Sequence, residues 1–161
     1  LHDALLTPPE PTMSRPLLRN VLLGLAGAFL LAQAVPYGRD HTNPPIEAEP
    51  PWDSPRTRDL ARRACFDCHS HETVWPWYSH IAPLSWRLWH HVEEGREHFN
   101  VSAWNRPQRH AKDAAHETEE GEMPLWDYLL LHPEARLTPE ETADLVRGLD
   151  ATFGVPDRDA H

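Results

Sequence analysis

Residues 54–71 read SPRTRDLARRACFDCHSH, and this stretch decides what kind of domain the chain forms. Near its end, residues 65–69 have the sequence Cys-Phe-Asp-Cys-His. C-x-x-C-H is the attachment pattern of c-type haem, in which two thiols bond to the porphyrin and the histidine binds the iron. Ser54 is a good N-cap and Pro55 suits the first helical turn, so a helix is predicted to lead into the motif.

The spacing of the motif places its reactive side chains on one side of a helical turn. Cys65 and Cys68 are three residues apart, and His69 follows Cys65 by four, so the three share a face. We therefore predict one haem c, covalently attached to Cys65 and Cys68, with His69 as the proximal iron ligand. A zinc site that also uses His71, or a free dithiol, is the alternative. Two cysteines allow one disulfide at most.

An apolar run near the N-terminus predicts export. Arg15 and Arg19 precede residues 21–34 (VLLGLAGAFLLAQA), as a basic region precedes the apolar region of a signal peptide. Cleavage is expected near Ala34. An uncleaved anchor is the alternative, because flanking apolar residues bring the run near the roughly 20 residues that span a bilayer. Either outcome places the rest of the chain on the periplasmic side of the inner membrane. Met13 is the expected natural start.

Composition divides the chain into four predicted parts. Residues 1–35 hold an N-terminal extension with the signal peptide or membrane anchor, and residues 36–55 are a proline-rich linker. Residues 56–155 are the predicted haem-binding domain, which is long enough for one core, and residues 156–161 are a tail. If the anchor stays, the linker would hold the domain off the inner membrane.

Helical periodicity accounts for the rest of the domain, and no strand pattern surrounds the motif. The fold class is therefore predicted as all-α, a small cytochrome c-like helical domain around one covalent haem, preceded by the signal or anchor helix. Thr138 and Glu141 form a capping box for the last helix, and Gly154 closes it. Gly148 in that helix marks either a close crossing against the helix before the motif or a tolerated exposed glycine. The predicted stripes are Leu84, Leu88, Val92, Gly95 and Phe99; Ala111, Ala114, Ala115 and Thr118; Leu125, Tyr128 and Leu129; and Thr142, Leu145, Val146, Leu149 and Phe153.

Met123 is the expected distal iron ligand. It is the one methionine after the export segment, and it lies in a Gly-Glu-Met-Pro loop before a predicted helix. A thioether ligand favours ferrous iron and raises the reduction potential. A core methionine is the alternative, and histidines compete for the iron, with His90 and His91 the first to test.

Aromatic residues follow the motif directly. Trp75, Trp77 and Tyr78 are predicted to line the haem pocket, because haem is a large apolar plate and needs aromatic area around it. The alternative is that these aromatic residues build the core of a small helical domain. Arg87 and Arg96 are either partners of the haem propionates or solvated arginines.

The charge of the chain bears on its partners. It has 25 acidic and 15 basic residues, and the formal net charge is −10 with histidines neutral. An acidic surface argues against nucleic acid and favours a redox partner protein with a basic docking surface. Plain solubility is the alternative explanation of the charge.

Two longer stretches are similar to a known family. Residues 65–104 (CFDCHSHETVWPWYSHIAPLSWRLWHHVEEGREHFNVSAW) and residues 121–141 (GEMPLWDYLLLHPEARLTPEE) resemble the bacterial haem-binding domain family. Its members are small, membrane-associated, single-haem c-type proteins. The resemblance covers roughly residues 33–149, and the combination of C-x-x-C-H, WPWYS and GEMP is specific.

The resemblance implies a covalent haem on Cys65 and Cys68, with His69 as the proximal ligand, and Met123 matches the methionine of the GEMP motif. Two departures stand out. His71 replaces an asparagine that is frequent in the family, which adds a further ligand near the iron. The segment AKDAAHETEE before GEMP is less apolar than expected, so its helix is predicted to be frayed.

These features together predict a haem protein that transfers single electrons outside the cytoplasm, and they favour an electron carrier over an enzyme. The alternatives are a gas or redox sensor in which a small ligand displaces Met123, and a peroxidase-like haem enzyme. An enzyme needs an open iron position and an acid–base group above it, and a methionine ligand argues against both.

Overall fold

The computed structural model describes residues 14–154, and its regular elements in that range are helices. The all-α prediction is confirmed. Contacts divide the chain into two compact units, residues 1–36 and residues 37–161. The expected start at Met13 and the predicted tail at residues 156–161 lie outside the described residues. The α-helices are α1 (Arg15–Ala32), α2 (Pro55–Ala64), α3 (Phe66–His69), α4 (Leu84–His98), α5 (Ala114–Glu119), α6 (Trp126–Leu131) and α7 (Pro139–Phe153), and short 3-10 helices cover Trp77–His80, Ala111–Asp113 and Pro133–Ala135.

The first unit contains helix α1, which forms from the apolar run. By length and composition α1 is able to cross a membrane, and a signal sequence has the same character. Its 18 residues span about 27 Å at 1.5 Å per residue, close to the hydrocarbon thickness of a bilayer. A signal peptide and a membrane anchor therefore both stay predictions.

In the second unit, the helix before the motif crosses the last helix closely. Ser54 caps α2 by accepting a hydrogen bond from the Thr57 backbone N–H at 3.1 Å, and Thr138 and Glu141 form the predicted capping box of α7. Gly148 is buried at the crossing, where a Cβ atom would lie 2.1 Å from the Thr57 Oγ1. Of the two interpretations of Gly148, the close crossing is therefore correct.

The C-x-x-C-H motif does not continue helix α2. Cys65 leaves the helix with φ −121° and ψ −32°, and the rest of the motif forms the short helix α3. The His69 backbone N–H still donates to the Cys65 carbonyl at 2.9 Å, so the motif folds as one turn. Helix α4 packs on this turn through Gly95, where a Cβ atom would lie 2.7 Å from the Cys68 carbonyl oxygen.

The buried face of α4 differs from the predicted stripe at its first turn. Leu84 is 46% exposed and Ser85 is buried. Ser85 lies two turns before Val92, so the face that passes through Val92 and Gly95 reaches Ser85 instead of Leu84. The prediction that Leu84 belongs to the stripe was therefore wrong, because the helix begins there at the surface.

The core of the second unit is built largely from small side chains. Of fourteen buried apolar residues in the described part of the chain, seven are alanines. The larger ones include Leu60, Phe66 and Leu145, which pack together with Phe99 and Leu149. The core is therefore thin around the motif, and the space that it leaves forms a cavity.

Residues 38–53 contain no helix, and they pack against the rest of the second unit, to which they belong. Ala48 forms an isolated bridge with Ala103, and the Glu49 carboxylate pairs with the Arg58 guanidinium at 2.7 Å. The Asn43 side chain donates to the Thr73 carbonyl at 2.8 Å. This part of the predicted linker is thus tied to the domain surface.

The segment before GEMP is weakly helical, as its composition predicts. It forms one 3-10 turn and the six-residue helix α5, which ends at Glu119 and is followed by Gly121 with φ +76°. Ala111, Ala115 and Thr118 of the predicted stripe are buried. Helix α5 packs mainly on α7 and places the following loop beside the motif.

Candidate haem site

A cavity of about 330 Å³ opens beside the motif. Cys65, Cys68 and His69 line it, and so does Met123 from the loop before α6. The structure therefore brings together the four residues that the sequence predicts to hold haem. The volume lies within the roughly 300–1,000 Å³ that is typical of small-molecule and cofactor sites.

His69 is oriented by the chain that follows α4. Its Nδ1 lies 3.2 Å from the Phe99 carbonyl oxygen, and its ring stacks on the Phe99 ring at 4.0 Å between centroids. A carbonyl only accepts, so the network assigns the proton to Nδ1 and leaves the Nε2 lone pair for a metal. Burial lowers the pKa of His69 to about 4, so the imidazole is neutral at neutral pH.

Both cysteines are free thiols on the cavity wall. Burial raises the pKa of Cys65 to about 12, and burial together with the neighbouring Asp67 carboxylate raises that of Cys68 to about 12. The two thiols and the His69 imidazole thus stand on one largely apolar wall, which suits the apolar edge of a porphyrin.

The loop that carries Met123 lines the same cavity. The Met123 backbone N–H donates to the Glu117 carbonyl at 3.0 Å, and the residue is 36% exposed. Its thioether therefore lies at the mouth of the cavity instead of in a closed core.

Two polar contacts fasten helix α6 over the cavity. The Tyr128 hydroxyl donates to the Asp67 carboxylate at 2.6 Å, and Arg87 of α4 pairs with Asp127 at 2.6 Å. Burial and the Asp67 charge raise the pKa of Tyr128, so its hydroxyl keeps its proton. Sequence reasoning missed this pair, since Asp67 is one of the two variable residues of the motif.

Comparison with known proteins places the chain in a family. Residues 27–151 match the model of the haem-binding domain. The chain belongs to the haem-binding domain family. The curated proteins and the solved structures that were compared with it gave no match.

The residues of this haem-binding domain fit the cofactor that the family implies. His69 offers an unprotonated nitrogen, and Cys65 and Cys68 stand beside it on a largely apolar wall. An apolar wall excludes water and suits the face of a porphyrin. The aromatic part of this wall consists of Trp52, Phe99, Trp126, Tyr128 and Phe153.

The aromatic residues that the sequence predicts to line the pocket lie elsewhere. Trp75 stacks on His41 at 4.5 Å, Trp77 is 77% exposed, and the Tyr78 hydroxyl bonds to the Nε2 of His132 at 2.5 Å. None of the three is among the cavity-lining residues. Trp77 and Tyr78 belong to the 3-10 turn of residues 77–80, and Trp75 packs on His41 instead of on the cavity wall. Position in the sequence next to the motif was a misleading signal.

Two histidines besides His69 line the cavity of the haem-binding domain. They are His91 and His98 of α4. Burial lowers the pKa of His91, which keeps its imidazole available as a ligand. His90 points elsewhere and approaches Glu94 at 3.6 Å.

His71 has both ring nitrogens engaged. Its Nδ1 lies 2.9 Å from the Pro45 carbonyl oxygen, and its Nε2 lies 2.8 Å from the Asn100 amide nitrogen. It is thus a structural residue that ties the extended segment to the domain. Within residues 14–154, no group of three or more His, Cys, Asp or Glu side chains is placed to hold a metal ion. The zinc alternative therefore lacks a ligand set there.

The two arginines considered for the propionates have different positions. Arg87 lines the cavity, where Asp127 neutralises it. The Arg96 side chain is only 12% exposed, and it donates to the Ser70 carbonyl at 2.9 Å and to Thr73 at 3.1 Å. Arg96 is therefore neither solvated nor in the cavity, because it holds the chain just after the motif against α4.

Proposed function

We propose that this haem-binding domain carries one haem c, attached through Cys65 and Cys68, and transfers single electrons outside the cytoplasm. The observation that carries the proposal is the convergence of both thiols, the His69 imidazole and the Met123 thioether on one cavity. His69 and Met123 would both hold a bound haem iron, and an iron ligated by two side chains favours electron transfer over chemistry on a substrate.

Bound haem supplies a one-electron couple between ferrous and ferric iron. The chain's own residues determine how it is held. The Phe99 carbonyl fixes the His69 ring, and the stacked Phe99 ring limits its rotation. The apolar wall excludes water, and the thioether of Met123 favours the ferrous state. With haem bound, His69 and Met123 would be the residues that hold the iron.

Attachment is tested by expression in a host that attaches haem c, followed by denaturation and solvent extraction. We expect the haem to stay with the chain, and to be lost from the double variant Cys65→Ala/Cys68→Ala. His71→Ala is the matched control, since His71 lies next to the motif but has both nitrogens hydrogen-bonded. Haem that is extracted from the unaltered protein would refute covalent attachment.

Ligation is tested by the absorption spectrum of the ferric protein. We expect a methionine-to-iron charge-transfer band that disappears in Met123→Ala, together with a lower reduction potential. His91→Ala and His98→Ala should keep the band. If Met123→Ala leaves the spectrum unchanged and one histidine variant alters it, that histidine is the distal ligand.

A second function is favoured by the exposure of Met123, which is 36%. A ligand at the cavity mouth can be displaced, so a sensor for a diatomic gas is the alternative to a carrier. Carbon monoxide separates the two, because it binds ferrous iron only where a position opens. Absence of binding within minutes supports the carrier, and ready binding supports the sensor.

The location outside the cytoplasm rests on helix α1 and the basic residues before the apolar run. It is tested by cell fractionation and by mass spectrometry of the mature N-terminus. A chain that begins near Val35 indicates a cleaved signal, and a membrane-bound full-length chain indicates an anchor. Haem-loaded protein in the cytoplasm would refute the export proposal.

A further inference from the structure

Apolar side chains are exposed on and beside helix α6, whose Trp126 and Tyr128 line the haem cavity. We call them the α6 patch, and they are Val74, Trp77, Trp126, Leu130 and Leu131. Each is between 57% and 77% exposed. Clusters of exposed apolar side chains are rare on the surface of monomeric proteins, and they commonly mark an interaction site.

Hydrogen bonds tie together the two segments that carry the patch. The Val74 backbone N–H and the Tyr128 hydroxyl donate to the two oxygens of the same Asp67 carboxylate, at 2.9 and 2.6 Å. The Tyr78 hydroxyl bonds to His132, which directly follows α6. Val74 and Trp77 therefore flank helix α6.

The patch borders the cavity directly. Trp126 is 73% exposed and also lines the cavity, and Met123 at the mouth is itself 36% exposed. Asp67, which joins the two halves of the patch, lies between the two cysteines. A partner that covers the patch would thus lie over the opening of the proposed haem site.

Carboxylates lie along one side of the patch. Glu119, Glu120 and Glu122 are exposed just before Met123, and none of them forms an ion pair within the part of the chain that the structure describes. Asp127 neutralises Arg87. The exposed Arg136, which donates to the Leu129 carbonyl, is the one opposing charge that the neighbouring turn adds.

We propose that the α6 patch docks a redox protein that has an apolar centre and a rim of lysine or arginine. The inference rests on the proposed electron transfer and names its partner surface. An apolar centre with a charged rim is the usual anatomy of a transient interface, and complementary charge steers the encounter. A second copy of this acidic chain and an anionic membrane would both be repelled by the three carboxylates.

Glu119, Glu120 and Glu122 form the acidic rim of the α6 patch. The role of this rim is tested by stopped-flow oxidation of the ferrous holoprotein with two small probes. One is tris(1,10-phenanthroline)cobalt(III), an apolar aromatic cation, and the other is ferricyanide, an anion. At an ionic strength of about 0.01 M, where charges act over roughly 30 Å, we expect the rim variant Glu119→Gln/Glu120→Gln/Glu122→Gln to slow the cobalt reaction about three- to tenfold. The same variant should accelerate the ferricyanide reaction.

A matched control removes the same charge from other exposed sites. It is Asp59→Asn/Glu97→Gln/Glu140→Gln, which changes the net charge equally. We expect this control to change the cobalt rate less than twofold, and high salt to abolish the effect of the rim variant. Equal rates for the rim and control variants would refute the claim that these three carboxylates steer a cationic partner to the α6 patch.

The apolar centre is tested with Leu130→Ser/Leu131→Ser, whose side chains lie outside the cavity. We expect a several-fold slower cobalt reaction, with an unchanged spectrum and reduction potential, while Ile46→Ser at another exposed apolar site has no effect. If the double variant reacts at the unaltered rate, the claim that the apolar side chains of the patch contact the partner is refuted.

Two further measurements exclude other occupants. Sedimentation that shows a dimer lost in the leucine variant, or binding of that surface to vesicles of phosphatidylglycerol, would overturn the proposal in favour of a second copy or a membrane. Failure of the proposed function looks different, because the chain would then carry no covalent haem or its ferrous form would bind carbon monoxide readily. Rapid oxidation by ferricyanide without any preference for the cation refutes the docking surface alone.

Discussion

The contact between α4 and the motif depends on the absence of a side chain at Gly95. A Cβ atom there would lie 2.7 Å from the Cys68 carbonyl oxygen and 3.0 Å from the Cys68 Cβ. Ordinary contacts begin near 3.4 Å, so Gly95→Ala requires these groups to separate by about 0.7 Å. The obstacle is backbone, which cannot rotate away.

The energetic result is a difference of two effects. Overpacking of this kind costs about 1–3 kcal/mol, and replacement of a helical glycine by alanine returns about 1 kcal/mol. We therefore expect Gly95→Ala to lower the free energy of unfolding by up to about 2 kcal/mol, measured by urea titration of the holoprotein. Because the displaced group is Cys68, the yield of covalent haem should fall as well.

Gly148→Ala is the comparison, since its Cβ would clash with Thr57 away from the cavity. We expect it to lower stability without altering the absorption spectrum of the protein that carries haem. If the free energy of unfolding of Gly95→Ala rises by the full gain of about 1 kcal/mol expected for a helical glycine replaced by alanine, and haem attaches normally, the packing argument is refuted. An equal loss of haem in both variants would show that the effect is general destabilisation.

Three other variants test single contacts. Arg63 holds the pKa of Glu141 at about 2, below its ordinary 4.5. The contribution of this ion pair to stability is therefore present above about pH 4.5 and is lost as the pH falls toward 2. Glu141→Gln should be less stable at pH 7, and its stability in urea titrations should depend less on pH in the acid range. Tyr128→Phe removes the bond to Asp67, so we expect a loss of about 2 kcal/mol and faster carbon monoxide binding, and an unchanged binding rate would contradict it. His71→Leu should lower stability and keep the iron spectrum, which a change of ligand-field bands would disprove.

The local features of this fold were readable from the sequence. Ser54 and Thr138 mark the starts of α2 and α7 because capping is a short-range interaction. The spacing of the motif likewise predicted that Cys65, Cys68 and His69 would face one site, which the cavity bears out in geometry. Gly148 was ambiguous, and only the opposing Thr57 decided its role.

Features that depend on distant segments were not readable. Trp52 lies in an extended stretch without periodicity, yet it reaches the cavity wall. Trp75 and Trp77 were assigned to the pocket by proximity in sequence, and a short turn directs them elsewhere. The Asp67–Tyr128 hydrogen bond joins residues from two separate helices, and no local pattern announces it.

The alanine-rich core has a consequence for the life of the protein in the cell. A domain whose buried apolar side chains are half alanine gains less from its own packing, so a bound haem would supply much of the stability. Chains that fail to acquire haem would then open often enough for proteases to remove them, and loading would serve as quality control. Pulse proteolysis should degrade the Cys65→Ala/Cys68→Ala chain much faster than the loaded one, and equal lifetimes would disprove this.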